Sequence, residues 1–273
     1  MSDILKNYVE NLRTFENFLD FAIDVSDATA GIFVPWNLVR ANQLFTRLTV
    51  TSVSIIHLLP DNRYFPSKNN FWDFFSVASL ARNLIENYHM FFYVGVEKVK
   101  SEEIDFRLKL LNYHQNNEKY KMYSEYNCDQ TLLNEFELNL PLAKKELKDH
   151  LFFSTLSKSK AKQILSGNKA MYLSNKEISE RLPFKTDEFN LLYRFFSNHT
   201  HSSPLAYFSI SNERGRGEEN ETEVSYLAMT LESCIKYLSA TIIDMITLFP
   251  DSIKKLNEKK LNIIKTKFNE LIK

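Results

Sequence analysis

Five glycines and seven prolines in 273 residues leave few points at which this chain can turn sharply. Both residues punctuate a chain, so their scarcity favours long, uninterrupted elements. Cysteine is scarcer still: Cys128 and Cys234 stand alone, outside any Cys-x-x-Cys or Cys/His spacing. Two isolated thiols supply neither a disulfide framework nor a zinc site and point to a reducing, cytoplasmic setting. Net charge is absent as well, with 34 basic residues matched by 34 acidic ones. A non-specific nucleic-acid coat needs a basic excess, so any nucleic-acid contact must be a local site.

Long apolar runs are also missing. Residues 48–59 are too few to span a bilayer, and 226–249 are interrupted by Glu232, Lys236 and Asp244. Both read as buried core helices of a soluble protein without a membrane partner. Residues 1–21 carry charges throughout and have no apolar segment, so no signal peptide is expected.

What is present is helical periodicity. Ile4, Tyr8, Leu12, Phe15, Phe18, Leu19 and Ala22 recur at three-to-four spacing within a first helix over 3–29. Further helices are expected over 37–59, 71–96 and 101–125, the last capped by Ser101, and the third is apolar enough to lie at the bundle centre. Residues 126–182 form shorter, more polar segments, with a small helix ending at Gly167 and a capping box from Ser174 to Glu177. The expectation is one all-α domain over 1–273, with 126–182 as a subdomain or insertion. A helix capped by Thr186 must end before Pro204, and two more cover 221–249 and 251–272.

The helix before Pro204 contains "YRFFSNHTH", residues 193–201. At 100° per residue, Phe189, Leu192, Tyr193, Phe196 and Thr200 share one face, and Asn190, Arg194, Ser197, Asn198 and His201 share another. An ordinary solvated helix also has a polar face, but this one lacks lysine. Its residue types suit phosphodiester chemistry. Arginine grips a phosphate with a planar fork, and histidine moves a proton near neutral pH. Ser197 and Asn198 can position substrate. One arginine and one histidine suffice for RNA cleavage by the neighbouring 2′-hydroxyl, so no metal or other cofactor is expected. No Gly-x-Ser-x-Gly elbow, phosphate-binding Gly-x4-Gly-Lys loop or His-Glu-x-x-His pair occurs.

A second polar seam lies on the helix over 71–96. Glu86, His89 and Tyr93 fall within about 40° of Arg82 on ideal geometry. As a structural feature, Arg82 and Glu86 form an ion pair that fixes helix register. As a functional one, the seam faces Arg194 and His201 across a cleft, with Glu86 orienting a neighbour and His89 as a second acid/base. His57, His114 and His150 have no comparable company. "ERGRG", 213–217, is read as a solvated loop despite its two arginines, because Glu218, Glu219, Glu221 and Glu223 follow.

"RFFSNH" and "RFFSNHTH" both satisfy the R-x(4–6)-H mark of the HEPN superfamily of small all-α proteins, which the sequence resembles. More closely, it is similar to the DUF5677-like branch, which pairs an early R-x-x-x-E helix with a late Y-x-x-x-S-x-x-x-H segment. Here those are Arg82 and Glu86, then Tyr193, Ser197 and His201. The likeness covers about 71–96 and 186–249, less than half of the chain. Phe195 departs from the polar residue that usually follows the arginine in active members.

The resemblance implies a HEPN-type helical bundle and an endoribonuclease leaving a cyclic phosphate. It further implies a composite site in a homodimer and a toxin or phage-defence role beside a partner or antitoxin protein. Arg194 would hold the phosphate, with His201 or His199 as acid/base and Ser197, Asn198 and Tyr193 positioning substrate. Two alternatives stand beside it: a non-catalytic module binding RNA, a nucleotide or a protein, and a structural helical subunit.

Overall fold

The structure, a computed structural model, describes residues 2–66, 70–126, 129–201, 203–208, 210 and 214–272. Cys128 and Glu213 lie outside them. The regular elements among the described residues are all helical.

The chain forms two compact units. The first joins Met1–Val96 to Ile178–Lys273, and the second is Glu97–Glu177. The first unit holds α1 (Asp3–Thr29), α2 (Trp36–Leu58) and α3 (Phe74–Phe91), the last continuing as one π-helical turn over Phe92–Val96. The second contains α4 (Ser101–Glu125), α5 (Gln130–Asp149) and α6 (Lys158–Leu165), and α7 (Asn175–Ser179) crosses the boundary in sequence. The first unit resumes with α8 (Thr186–Thr200), α9 (Pro204–Tyr207), α10 (Glu221–Leu248) and α11 (Glu258–Leu271).

The central helix is α10 rather than α3. From Ser233 to Ile242 every one of its side chains is buried. Two of its threonines are satisfied locally: the Thr230 and Thr241 hydroxyls each donate to the carbonyl four residues back, at 2.7 Å. Around it, Leu12, Phe15, Phe45, Leu84, Leu231 and Ile242 form part of one continuous apolar core. Each such side chain contributes about 1.5–3 kcal/mol by leaving water. Gly95 lets the π-helical turn approach α2, because a Cβ there would lie 2.6 Å from that of Ala41.

Helix starts follow the capping rules where a side chain precedes the first turn. Asp73 accepts from the Ser76 amide at 3.1 Å and starts α3, and Asn220 accepts from the Glu223 amide at 3.0 Å and starts α10. Ser101 and Thr186, expected as caps, are instead the first helical residues of α4 and α8, after Lys100 and Lys185.

In the second unit, buried Arg107 is held by Glu97 at 2.6 Å and by Glu103. His114 donates from Nδ1 to the Gly167 carbonyl at 2.8 Å. The expected capping box is present, with Ser174 and Glu177 each accepting from the other's backbone amide.

Candidate functional site

The polar seam of α3 faces α8, and the two helices run antiparallel. Arg82 meets Tyr193 and His201, Glu86 meets Tyr193, and His89 meets Phe189. Antiparallel pairing puts the polar end of α8 beside the first half of α3. It puts Phe189, near the start of α8, beside His89 in the second half.

Arg82 is the hub. Its Nε donates to Glu86 Oε1 at 3.1 Å, its Nη2 to the Tyr193 hydroxyl at 3.2 Å, and its Nη1 to Nε2 of His201 at 2.7 Å. Tyr193 completes the ring by donating its hydroxyl to Glu86 Oε1 at 2.6 Å. The guanidinium also lies 5.1 Å from the centre of the Tyr193 ring. A guanidinium is only a donor, so His201 accepts through Nε2, and the neutral ring with its proton on Nδ1 fits this contact. Burial, reinforced by the bond to Glu86, raises the pKa of Tyr193 above its ordinary value and keeps it a phenol. Arg82, Glu86 and Tyr193 are half-buried and His201 is exposed, so the cluster opens to solvent.

The remaining candidates are placed differently. Arg194 is exposed, and its guanidinium has no hydrogen-bond or ion-pair partner among the described residues. Ser197 and Asn198 turn their donors back onto the helix, to the carbonyls of Tyr193 at 2.6 Å and Arg194 at 2.8 Å. Asn198 also accepts from the Ser203 hydroxyl at 2.8 Å, which ties the helix end to the approach to Pro204.

His199 lies in an aromatic cluster, its ring centre 4.5 Å from that of Phe195, 4.9 Å from Phe74 and 5.4 Å from Phe75. Its Nδ1 donates to the Phe195 carbonyl at 2.8 Å. Phe195, the departure from the motif, is thus a wall of this cluster and also meets Tyr226 edge-on at 5.1 Å.

His89 does not share the open site expected for it. It is fully buried, 5.0 Å from the Phe189 ring, and Tyr93 is buried beyond it. The helical wheel places both on the Arg82 face, but depth along α3 separates them.

Arg214 differs from its expected solvated state. It is buried, donates from Nε to Glu223 Oε1 at 3.1 Å and lies over the Tyr226 ring at 4.9 Å. Glu223, one of the acidic residues that follow the loop, is its counter-ion.

Among the described residues no three His, Cys, Asp or Glu side chains come together as metal ligands, and no helix is long and apolar enough to cross a membrane. Residues 39–218 match the model of a family described as a family of unknown function, DUF5677. No curated protein and no solved structure matches the chain.

Proposed function

The chain belongs to the DUF5677 family, and from its Arg82–His201 cluster we propose a HEPN-like, metal-independent endoribonuclease. The observation that carries this reading is the 2.7 Å contact from Arg82 Nη1 to His201 Nε2. A phosphate-binding cation and a proton acceptor share one opening, and no carboxylate of the cluster reaches the histidine.

In the proposed reaction the substrate's 2′-hydroxyl replaces Arg82 at His201 Nε2. His201 takes the hydroxyl proton as that oxygen attacks phosphorus, and the bond from phosphorus to the 5′-oxygen breaks. The proton held on His201 returns to the departing 5′-oxygen. The products are a 2′,3′-cyclic phosphate and a 5′-hydroxyl. Arg82 turns to the non-bridging oxygens, where charge develops. Glu86 holds Arg82 in register directly and through the Tyr193 phenol, whose one proton it accepts. Arg194, expected to hold the scissile phosphate, attracts the flanking backbone in this reading. A toxin or defence effector acting as a homodimer, checked by a partner protein, is the setting that suits such an activity.

Phe195 favours a second reading. An aromatic wall beside the cluster suits a module that binds RNA or a nucleotide without cutting it.

Labelled RNA and single-stranded DNA incubated in excess EDTA with wild type, Arg82→Ala, His201→Ala and Arg194→Ala separate the two. Cleavage of RNA alone, lost in the first two variants, supports the nuclease. RNA retained but uncut by folded wild type supports the binder.

A further inference from the structure

Next to the Arg82 cluster, along the same groove between α3 and α8, lies a cavity of about 320 Å³. Phe75, Ser76 and Ser79 of α3 line it, with His199 and Thr200 of α8 and Ile210 beyond. Ser79 stands one helical turn before Arg82, and Thr200 directly precedes His201. Pocket and cluster are therefore neighbours on both helices. The volume lies at the low end of ligand pockets, which begin at about 300 Å³. That is room for one nucleoside, not for a folded segment.

The hydrogen-bonding character of the wall is unusual. His199 is only 5% exposed, its Nδ1 proton is committed to the Phe195 carbonyl, and Nε2 has no partner among the described residues. Nε2 is thus an acceptor left accessible on an otherwise buried ring. Ser79 and Thr200 have also committed their protons, to the carbonyls of Phe75 at 3.0 Å and Phe196 at 2.9 Å. Their oxygens offer lone pairs only. Ser76, at the exposed edge, can donate or accept a hydrogen bond, but the inner wall is acceptor-rich with an aromatic side and favours a flat ligand whose edge is rich in N–H donors.

We infer that this cavity is a base-specificity subsite that takes an amino-bearing nucleobase, guanine before the others, next to the phosphate held at Arg82. Guanine presents a ring N–H and an amino group on one edge, both donors. Uracil presents a single N–H between two carbonyls, which would face the lone pairs of the wall. His199 is then a specificity residue and not an acid or base. As a subsite for RNA the assignment rests on the nuclease reading, whereas nucleoside binding does not.

The test uses nucleosides, which carry no phosphate. Guanosine and uridine are titrated into ¹⁵N-labelled wild type, His199→Phe, Ser79→Leu and Arg82→Ala. All four are first checked for folding by circular dichroism. His199→Phe keeps a ring in the aromatic cluster and removes the acceptor, and Ser79→Leu fills the cavity from a half-buried position.

The expected result is guanosine binding that shifts the His199 ring nitrogens of wild type. It weakens about tenfold or more in both pocket variants and is unchanged in Arg82→Ala, and uridine binds wild type about tenfold more weakly than guanosine. Equal binding of the two nucleosides, undiminished binding in both folded pocket variants, or no guanosine binding overturns the inference. Guanosine binding with no RNA cleavage in EDTA overturns the nuclease and leaves the pocket standing. RNA cleavage without guanosine binding does the reverse.

Discussion

Arg82 and His201 are separated by 119 positions in the chain and joined by a 2.7 Å hydrogen bond. The contact lets one guanidinium hold, at the same time, the carboxylate of Glu86, the phenol of Tyr193 and the imidazole.

Arg82→Lys keeps a positive charge but cannot bond three partners in one plane. If the cluster cleaves RNA, Arg82→Lys and Arg82→Ala should both lose about 100-fold or more in rate. Single-turnover cleavage with protein in excess measures this. A lysine variant within threefold of wild type would reduce Arg82 to a point charge.

Arg194 is exposed and has no partner among the described residues, so Arg194→Ala should change unfolding free energy by less than about 0.5 kcal/mol. Its effect belongs in binding: the slope of log affinity for RNA against log salt should become shallower by about one. Fluorescence anisotropy across a salt series reads the slope.

Tyr193→Phe removes a donor that stays protonated well into alkaline solution, because the phenol's pKa is raised by burial and by Glu86. The rate should fall about tenfold, by the same factor at pH 7 and pH 9. A loss that shrinks at high pH in the pH–rate profile would show that the phenol ionises within that window.

Asp244, half-buried on α10, accepts from the Tyr88 hydroxyl at 2.9 Å, and burial pushes its pKa up to about 6. A carboxyl with a folded pKa above its unfolded one favours the fold in acid and opposes it increasingly as pH rises through about 4 to 6. Asp244→Asn cannot ionise and still accepts from Tyr88. It should stabilise the protein by up to about 3 kcal/mol at pH 7.5, with the gain vanishing below about pH 4. Urea unfolding at the two pH values checks the sign.

Periodicity made α1 legible because it buries one stripe, and it begins and ends where its spacing places it, at Asp3 and Thr29. Cap positions were less legible. A serine or threonine at the first helical position looks the same in sequence as one just before it, as Ser101 and Thr186 show. A helical wheel gives angle without depth, so it groups Arg82 with His89 although one meets solvent and the other Phe189. Local sequence also favours Arg194 over Arg82, because Arg194 is seven positions from His201 and Arg82 is 119. Only the tertiary pairing of α3 with α8 reverses that preference. The buried partnership of Arg214 with Glu223 was hidden because two arginines are followed by four glutamates, and the sequence does not say which of them meet.

Four consecutive side chains at the end of α8, Ser197 to Thr200, each bond to the carbonyl four residues before it. Each bond removes rotamer choices from a side chain beside the groove. Immobilising such a side chain on association typically costs about 0.5–1.5 kcal/mol. Here that ordering is completed when the helix forms, so a ligand entering the groove meets a wall already set and loses little affinity to arranging it.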